Sequence, residues 1–247
     1  NDTLNLNSLT MNYRPFIYSL SLFSTALMAC QSVTNHQENA PSGATDSLKN
    51  YRFTAQPSWA DEFDNTGLPD TSKWSYDVGS LHNGWGNQEL QYYTEADPKN
   101  VEVKDGHLYI HALPEQKEGL DYTSARLVSK GKGDFLYGRF EVRAKVPAGK
   151  GTWPAVWMLP TDWTYGGWPN SGEIDILEHV GYDPDVVHIS VHTKDYHHSI
   201  GTQKTAFRKI ENAREQFHLY RIDWTPDYIK GFVDDQELFS FANEGSG

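Results

Sequence analysis

From Tyr137 to Val146 apolar and charged side chains alternate almost without interruption. Phe140, Val142, Ala144 and Val146 fall on one parity and Arg139, Glu141, Arg143 and Lys145 on the other. Side chains of a strand point to opposite faces with period two, so this run predicts a strand with one buried and one wet face. Similar runs lie at His107 to Ala112, Ala125 to Ser129, Pro154 to Leu159, Val186 to Thr193, His218 to Trp224 and Tyr228 to Val233, with Gly, Asp, Asn or Pro in most gaps. No window sustains helical periodicity for three turns, and there is neither an internal repeat nor a strand–helix–strand alternation. Many short strands at this spacing predict an all-β sandwich or barrel.

The 247 residues suit one globular domain plus an extra segment. That segment is at the front. Residues 11–30 hold a basic start at Arg14, an apolar run from Phe16 to Ala29 and small residues at the end, the pattern of a secretory signal too short to span a membrane. Leu27-Met28-Ala29-Cys30 resembles a bacterial lipobox, in which the cysteine left by cleavage is acylated. Cys30 is the sole Cys of the chain, and a lone exported thiol is accounted for by that role. The expectation is an outer-membrane lipoprotein, or otherwise a periplasmic or extracellular protein, with residues 1–10 upstream of the true start at Met11. Residues 31–50 are polar and read as a flexible tether. The folded domain is expected over 51–247, with its last strands lying beyond Gly247.

Against this background, residues 171–181, SGEIDILEHVG, are unusual. Glu173, Asp175 and Glu178 stand among apolar β-formers, a load that core strands do not ordinarily carry. Ile174, Ile176 and Leu177 supply the buried side, while Glu173 and Asp175 share the opposite face. Strict alternation sends Glu178 to the wrong face; one inserted residue, a β-bulge, restores it. Two carboxyl groups about 5 to 5.5 Å apart can hydrolyse a glycosidic bond with retention, one attacking the anomeric carbon and one protonating the leaving oxygen. Asp175 between them could bond to the nucleophile and help keep Glu178 protonated. An exposed acidic face or a hard-cation site would also use such residues, but neither accounts for Trp153, Trp157, Trp163, Tyr165 and Trp168 just upstream.

The formal net charge of −12 argues against nucleic acid or anionic membrane as a partner. It suits a neutral ligand, and flat aromatic faces meet the C–H faces of sugars. His188, His192, His197 and His198 crowd within eleven residues and could suggest zinc. Two of them, His188 and His192, are about 13 Å apart along a strand, and no Cys or H-E-x-x-H accompanies the group.

Residues 173–178, Glu-Ile-Asp-Ile-Leu-Glu, resemble the E-I-D-I-x-E signature of glycoside hydrolase family 16. Trp85 to Thr94 (WGNQELQYYT), Ser124 to Lys130 (SARLVSK), Tyr137 to Lys145 (YGRFEVRAK) and Gly151 to Pro160 (GTWPAVWMLP) are similar to the bacterial laminarinase branch of that family. The likeness runs from about Trp59 to Phe239. It implies a concanavalin A-like jelly roll of two antiparallel sheets with a concave cleft. It also implies Glu173 as nucleophile, Glu178 as acid/base and Asp175 as helper. Trp153 and Trp157 would wall the sugars next to the scissile bond, Arg126 and Asn87 would bond their hydroxyls, and His179 would line the site less directly.

The implied activity is endo-hydrolysis of laminarin-type β-1,3-glucan by a monomer that needs no cofactor for the chemistry. A structural calcium is implied on the convex side, with Glu62 and the Gly106 backbone among its contributors. Mixed-linkage glucan, agarose or carrageenan as substrates, or a non-catalytic glycan-binding protein of a surface uptake system, are the competing expectations.

Overall fold

The computed structural model describes residues 51–245 apart from His82, all within the unit Ser47–Gly247. The expected signal, the tether and Cys30 lie outside the described residues. Among the described residues fourteen strands follow in chain order. They are β1 (Ser75–Asp77), β2 (Gln91–Tyr93), β3 (Val101–Lys104), β4 (His107–Ile110), β5 (Tyr122–Ser124), β6 (Arg126–Val128), β7 (Gly138–Ala144) and β8 (Ala155–Met158). The remainder are β9 (Glu173–His179), β10 (Val186–His192), β11 (Lys204–Lys209), β12 (His218–Trp224), β13 (Tyr228–Val233) and β14 (Gln236–Ala242). Every strand expected from alternation is present, most of them a residue or more shorter.

Two antiparallel four-stranded sheets dominate, in the orders β11-β10-β9-β8 and β14-β13-β12-β7. Three two-stranded pairs, β1-β6, β2-β5 and β3-β4, complete the strands. The core lies between the large sheets. Ile174, Ile176, Leu177, Val187, Ile189 and Val191 come from the first, and Tyr220, Ile222, Val233 and Phe239 from the second. The aliphatic residues on one parity of β10 all point inward, which leaves Val186, His188, Ser190 and His192 for the opposite face. Gly231 lets the two sheets close, because a Cβ there would stand 2.8 Å from two carbons of the Ile189 side chain. β7 is pinned to β12 by a two-pronged ion pair, Arg139 Nε and Nη2 donating to the Asp223 carboxylate at 2.7 and 2.9 Å.

The first sheet is displaced locally at β9. Val156 of β8 faces Leu177, yet the next residue, Trp157, faces Asp175. On the other side His188 faces Glu178 and Ser190 faces Asp175, two steps of β10 against three of β9. β9 therefore carries one extra residue between Asp175 and Glu178 against both neighbours, the β-bulge that the parity of the carboxylates demanded.

Candidate active site

With the bulge in place, Glu173, Asp175 and Glu178 lie opposite His192, Ser190 and His188 of β10, on the face turned away from the core. Asp175 is 2% exposed, and its two neighbours are half-buried. Each outer carboxylate is held by an indole. Trp168, in the loop before β9, donates Nε1–H to Glu173 Oε2 at 2.6 Å. Trp153, in the loop before β8, donates Nε1–H to Glu178 Oε1 at 3.1 Å. A tryptophan N–H can only donate, so both contacts favour an ionised or accepting carboxyl oxygen.

The loop bearing Trp153 is fixed by backbone. Gly181 N–H donates to Thr152 O at 2.9 Å and His179 N–H to Pro154 O at 3.2 Å, which extends the β8–β9 ladder past Ala155.

Burial and crowding act together on the carboxyls. Glu173 and Asp175 are both pushed up to about 8, first by desolvation and next by a neighbouring negative charge, Asp175 for Glu173 and Glu178 for Asp175. The physical content is one proton held between Glu173 and Asp175 well above the ordinary carboxylate range. His192 Nε2 lies 3.3 Å from Asp175 Oδ2, and its charge opposes the upward shift of Glu173. Among the described residues, Glu173, Asp175 and His192 are the group of acidic and imidazole side chains close enough to share a cation. The four crowded histidines do not form one; His192, His197 and His198 instead surround the Trp168 ring, at 5.9, 5.5 and 4.7 Å.

The remaining expected residues sort themselves by strand. Trp157 is the register partner of Asp175 on β8. The Arg126 guanidinium of β6 lies over its ring at 4.6 Å and over the Trp85 ring at 4.5 Å, and Arg126 Nε contacts Asp77 Oδ2 of β1 at 3.0 Å. Asn87 is exposed in the turn Gly84–Gln88, where Trp85 and Gly86 take φ of +53° and +84°. Its Nδ2 donates to Glu89 Oε1 at 3.3 Å. Trp153 is 49% exposed, a ring left open beside a carboxylate.

His179 corrects the expected list. It is 0% exposed, its Nε2 accepts the Asp185 N–H at 3.3 Å, and burial holds it below its ordinary value. The bulge explains this. Once Glu178 is returned to the open face, the residue after it must face the core. Trp168 and His192 were the residues that sequence reasoning left without a role. Trp168 sits only five residues before Glu173, whereas the place of His192 depends on a strand pairing that sequence does not display.

Away from the carboxylates, Glu62 lines a surface hollow with Asp61, Asp64, Asn65 and Asp70. Gly106 lies in the β3–β4 turn at φ +73°. Paired backbone bonds between Gly67 and Val103 tie these two segments together.

Residues 84–247 match the model of the glycosyl hydrolases family 16. The chain belongs to that family. A relative named beta-glucanase, from Rhodothermus marinus, is 57% identical over 188 residues, covering 75% of this chain and 65% of that one. A glucan endo-1,3-beta-glucosidase from Cryptopygus antarcticus is 40% identical over 186 residues, 72% of this chain and 66% of its own length. The chain thus spans about two thirds of the length of these relatives. The X-ray structure of the laminarinase from Rhodothermus marinus superposes with a TM-score of 0.74 at 57% identity, covering 76% of this chain and 74% of that one. The family 16 sandwich described above is accordingly a β-jelly roll.

Proposed function

We propose that this chain is a retaining endo-glycosidase acting on laminarin-type β-1,3-glucan, with Glu173 as nucleophile, Glu178 as acid/base and Asp175 as the partner that shares a proton with Glu173. The observation that carries the reading is the single extra residue in β9, which puts the three carboxyls on one face. A lectin has no use for a bulge that re-aims a second carboxylate. The substrate class rests on the relatives named beta-glucanase and glucan endo-1,3-beta-glucosidase.

In the first step a Glu173 oxygen bonds to the anomeric carbon, the bond from that carbon to the glycosidic oxygen breaks, and the Glu178 proton goes to the departing oxygen. The reactive arrangement keeps the shared proton on Asp175, which donates to Glu173 and leaves the attacking oxygen ionised. In the second step Glu178 takes a proton from water as it attacks, and Glu173 is released. Trp168 and Trp153 hold the two carboxylates in place by their indole N–H groups. Trp153 and Trp157 wall the reacting sugar, and Arg126 and Asn87 bond hydroxyls. No organic or redox cofactor enters this cycle.

Reducing ends released from laminarin by the wild type, and lost by a factor of about 10² to 10⁴ in Glu178→Gln and at least as much in Glu173→Gln, are the expected result. Saturable glucan binding without any release would select the glycan-binding alternative; mixed-linkage glucan, agarose and carrageenan in the same panel set the linkage.

Two further parts of the reading concern the rest of the chain. Cys30 carries a lipid anchor that holds the exported enzyme at the outer membrane, and Cys30→Ser moving the protein from the membrane to the soluble fraction tests it. Glu62 and the Gly106 carbonyl offer the hard oxygen donors that calcium takes, and Glu62→Ala abolishing a calcium-dependent rise in Tm tests that.

A further inference from the structure

Along the row of β9 that holds Glu178, the open face of the sheet continues through His188 of β10 to Phe207 of β11, each the direct register partner of the last. Direct partners of an antiparallel pair present their side chains on the same face. Burial agrees, because on β11 Lys204, Ala206 and Arg208 are the half-buried parity while Thr205, Phe207 and Lys209 are exposed. Phe207 is 67% exposed, yet its ring is not loose: it leans on the His188 ring at 5.5 Å with 32° between the planes. A large apolar ring so open in mid-strand, supported from behind on the side of the carboxylates, is a platform that no side chain among the described residues covers.

We propose that Phe207, backed by His188, is a stacking platform for the leaving part of the glucan, about two sugar units beyond the bond that is cut. This rests on the assignment of Glu178 as acid/base. The oxygen that Glu178 protonates departs with the sugar lying over the Glu178 row, and the β8 side of β9 is already filled by Trp157, Arg126 and Trp85. Two strand spacings of about 4.8 Å put Phe207 about 10 Å along that row from Glu178. This matches a second leaving-side unit better than the first. The ligand class is a β-glucopyranosyl unit, whose axial C–H groups present a flat apolar face to a ring, with no charge needed from the protein.

The test compares two substrates of the whole protein. Laminaripentaose can reach Phe207, whereas an aryl β-glycoside of laminaribiose ends at the first leaving-side position. The ratio of kcat/KM on the pentaose to kcat/KM on the aryl glycoside is expected to fall about tenfold in Phe207→Ala and to return in Phe207→Trp, since an aromatic contact of this kind is worth up to about that factor. Cleavage of end-labelled pentaose is expected to shift towards positions with fewer leaving-side sugars. An unchanged ratio, including one in which both rates drop together because the sheet is disturbed, would overturn the platform while leaving the glycosidase reading intact. Hydrolysis of neither substrate by the wild type would overturn the glycosidase reading, and the platform with it.

Discussion

Trp168 donates its indole N–H to Glu173 Oε2 at 2.6 Å from the loop that leads into Glu173, the first residue of β9. The bond favours the ionised carboxyl, and it opposes the upward shift that burial and Asp175 impose. Trp168→Phe keeps the ring among the histidines and removes only the donor. A hydrogen bond to a charged group is worth about 1.5 to 3 kcal/mol, so kcat/KM on laminarin is expected to fall by roughly ten- to a hundredfold. Without the donor the Glu173–Asp175 pair gives up its first proton at higher pH, and the acid limb of the pH–rate profile moves up. An acid limb that stays in place in Trp168→Phe would show that the indole does not act on the nucleophile.

The shared proton also sets how stability varies with pH. Glu173 and Asp175 are pushed up to about 8 in the folded chain, while unfolded carboxyls release their protons near pH 4. Between about pH 4 and about pH 8 the native state therefore binds more protons than the unfolded state, and this pair makes stability fall as pH rises. Asp175→Asn removes one of the two buried carboxyls that must ionise as pH rises. Its Tm at about pH 7.5 is expected to exceed that of the wild type, by about 2 to 4 °C for each kcal/mol regained, with a flatter dependence on pH and little remaining activity. Thermal melts from about pH 5 to 9 check it; a lower Tm with an unaltered slope would mean that no proton is held there.

The part of this architecture legible in the sequence is the part governed by local parity. β7 shows its buried face outright in Phe140, Val142 and Ala144, and β9 shows its bulge because three carboxylates cannot share a face without one. β11 is not marked in the sequence, since Lys204, Ala206 and Arg208 bury only stems and a methyl and give no apolar alternation. β1, β2 and β5 are three residues each, and their sequences SYD, QYY and YTS hold no aliphatic side chain to mark a buried face. The place of His179, implied by family likeness alone, turns on its parity: it follows Glu178 directly in the strand, and adjacent strand residues face opposite ways. The pairings that bring His192 to Asp175 and Arg126 to Trp157 join residues far apart in the chain, and only the assembled sheets place them.

Arg126 is gripped between the rings of Trp85 and Trp157 at 4.5 and 4.6 Å, with Asp77 at 3.0 Å on Nε. A planar cation can lie flat against both rings and still point its outer nitrogens at a sugar; an ammonium cannot. Arg126→Lys is expected to raise KM on laminarin about tenfold with kcat changed much less, the pattern of lost binding that ground state and transition state share. A collapse of kcat at constant KM would place Arg126 in the chemistry instead.

The loop that brings Trp153 to Glu178 depends on a glycine with no left-handed backbone to justify it. A Cβ on Gly181 would stand 1.7 Å from the Gly149 carbonyl oxygen and 2.5 Å from Thr152 Oγ1. Since the first of these is backbone, no rotamer relieves the clash, and the segment from Gly149 to Trp153 must move away from the turn after β9. That movement withdraws the indole donor from Glu178 Oε1, now 3.1 Å away. Overpacking of this sort costs about 1 to 3 kcal/mol, so Gly181→Ala is expected to lower Tm by several degrees and kcat/KM by more than about tenfold, because a small displacement of a positioning group is felt strongly in the rate. Gly167→Ala is the matched control, for it stands in open space at an ordinary φ in the neighbouring loop. Melting and initial-rate measurements on the pair decide the matter: equal behaviour of the two variants would mean that the contact of Gly181 with Gly149 does not hold Trp153 against Glu178.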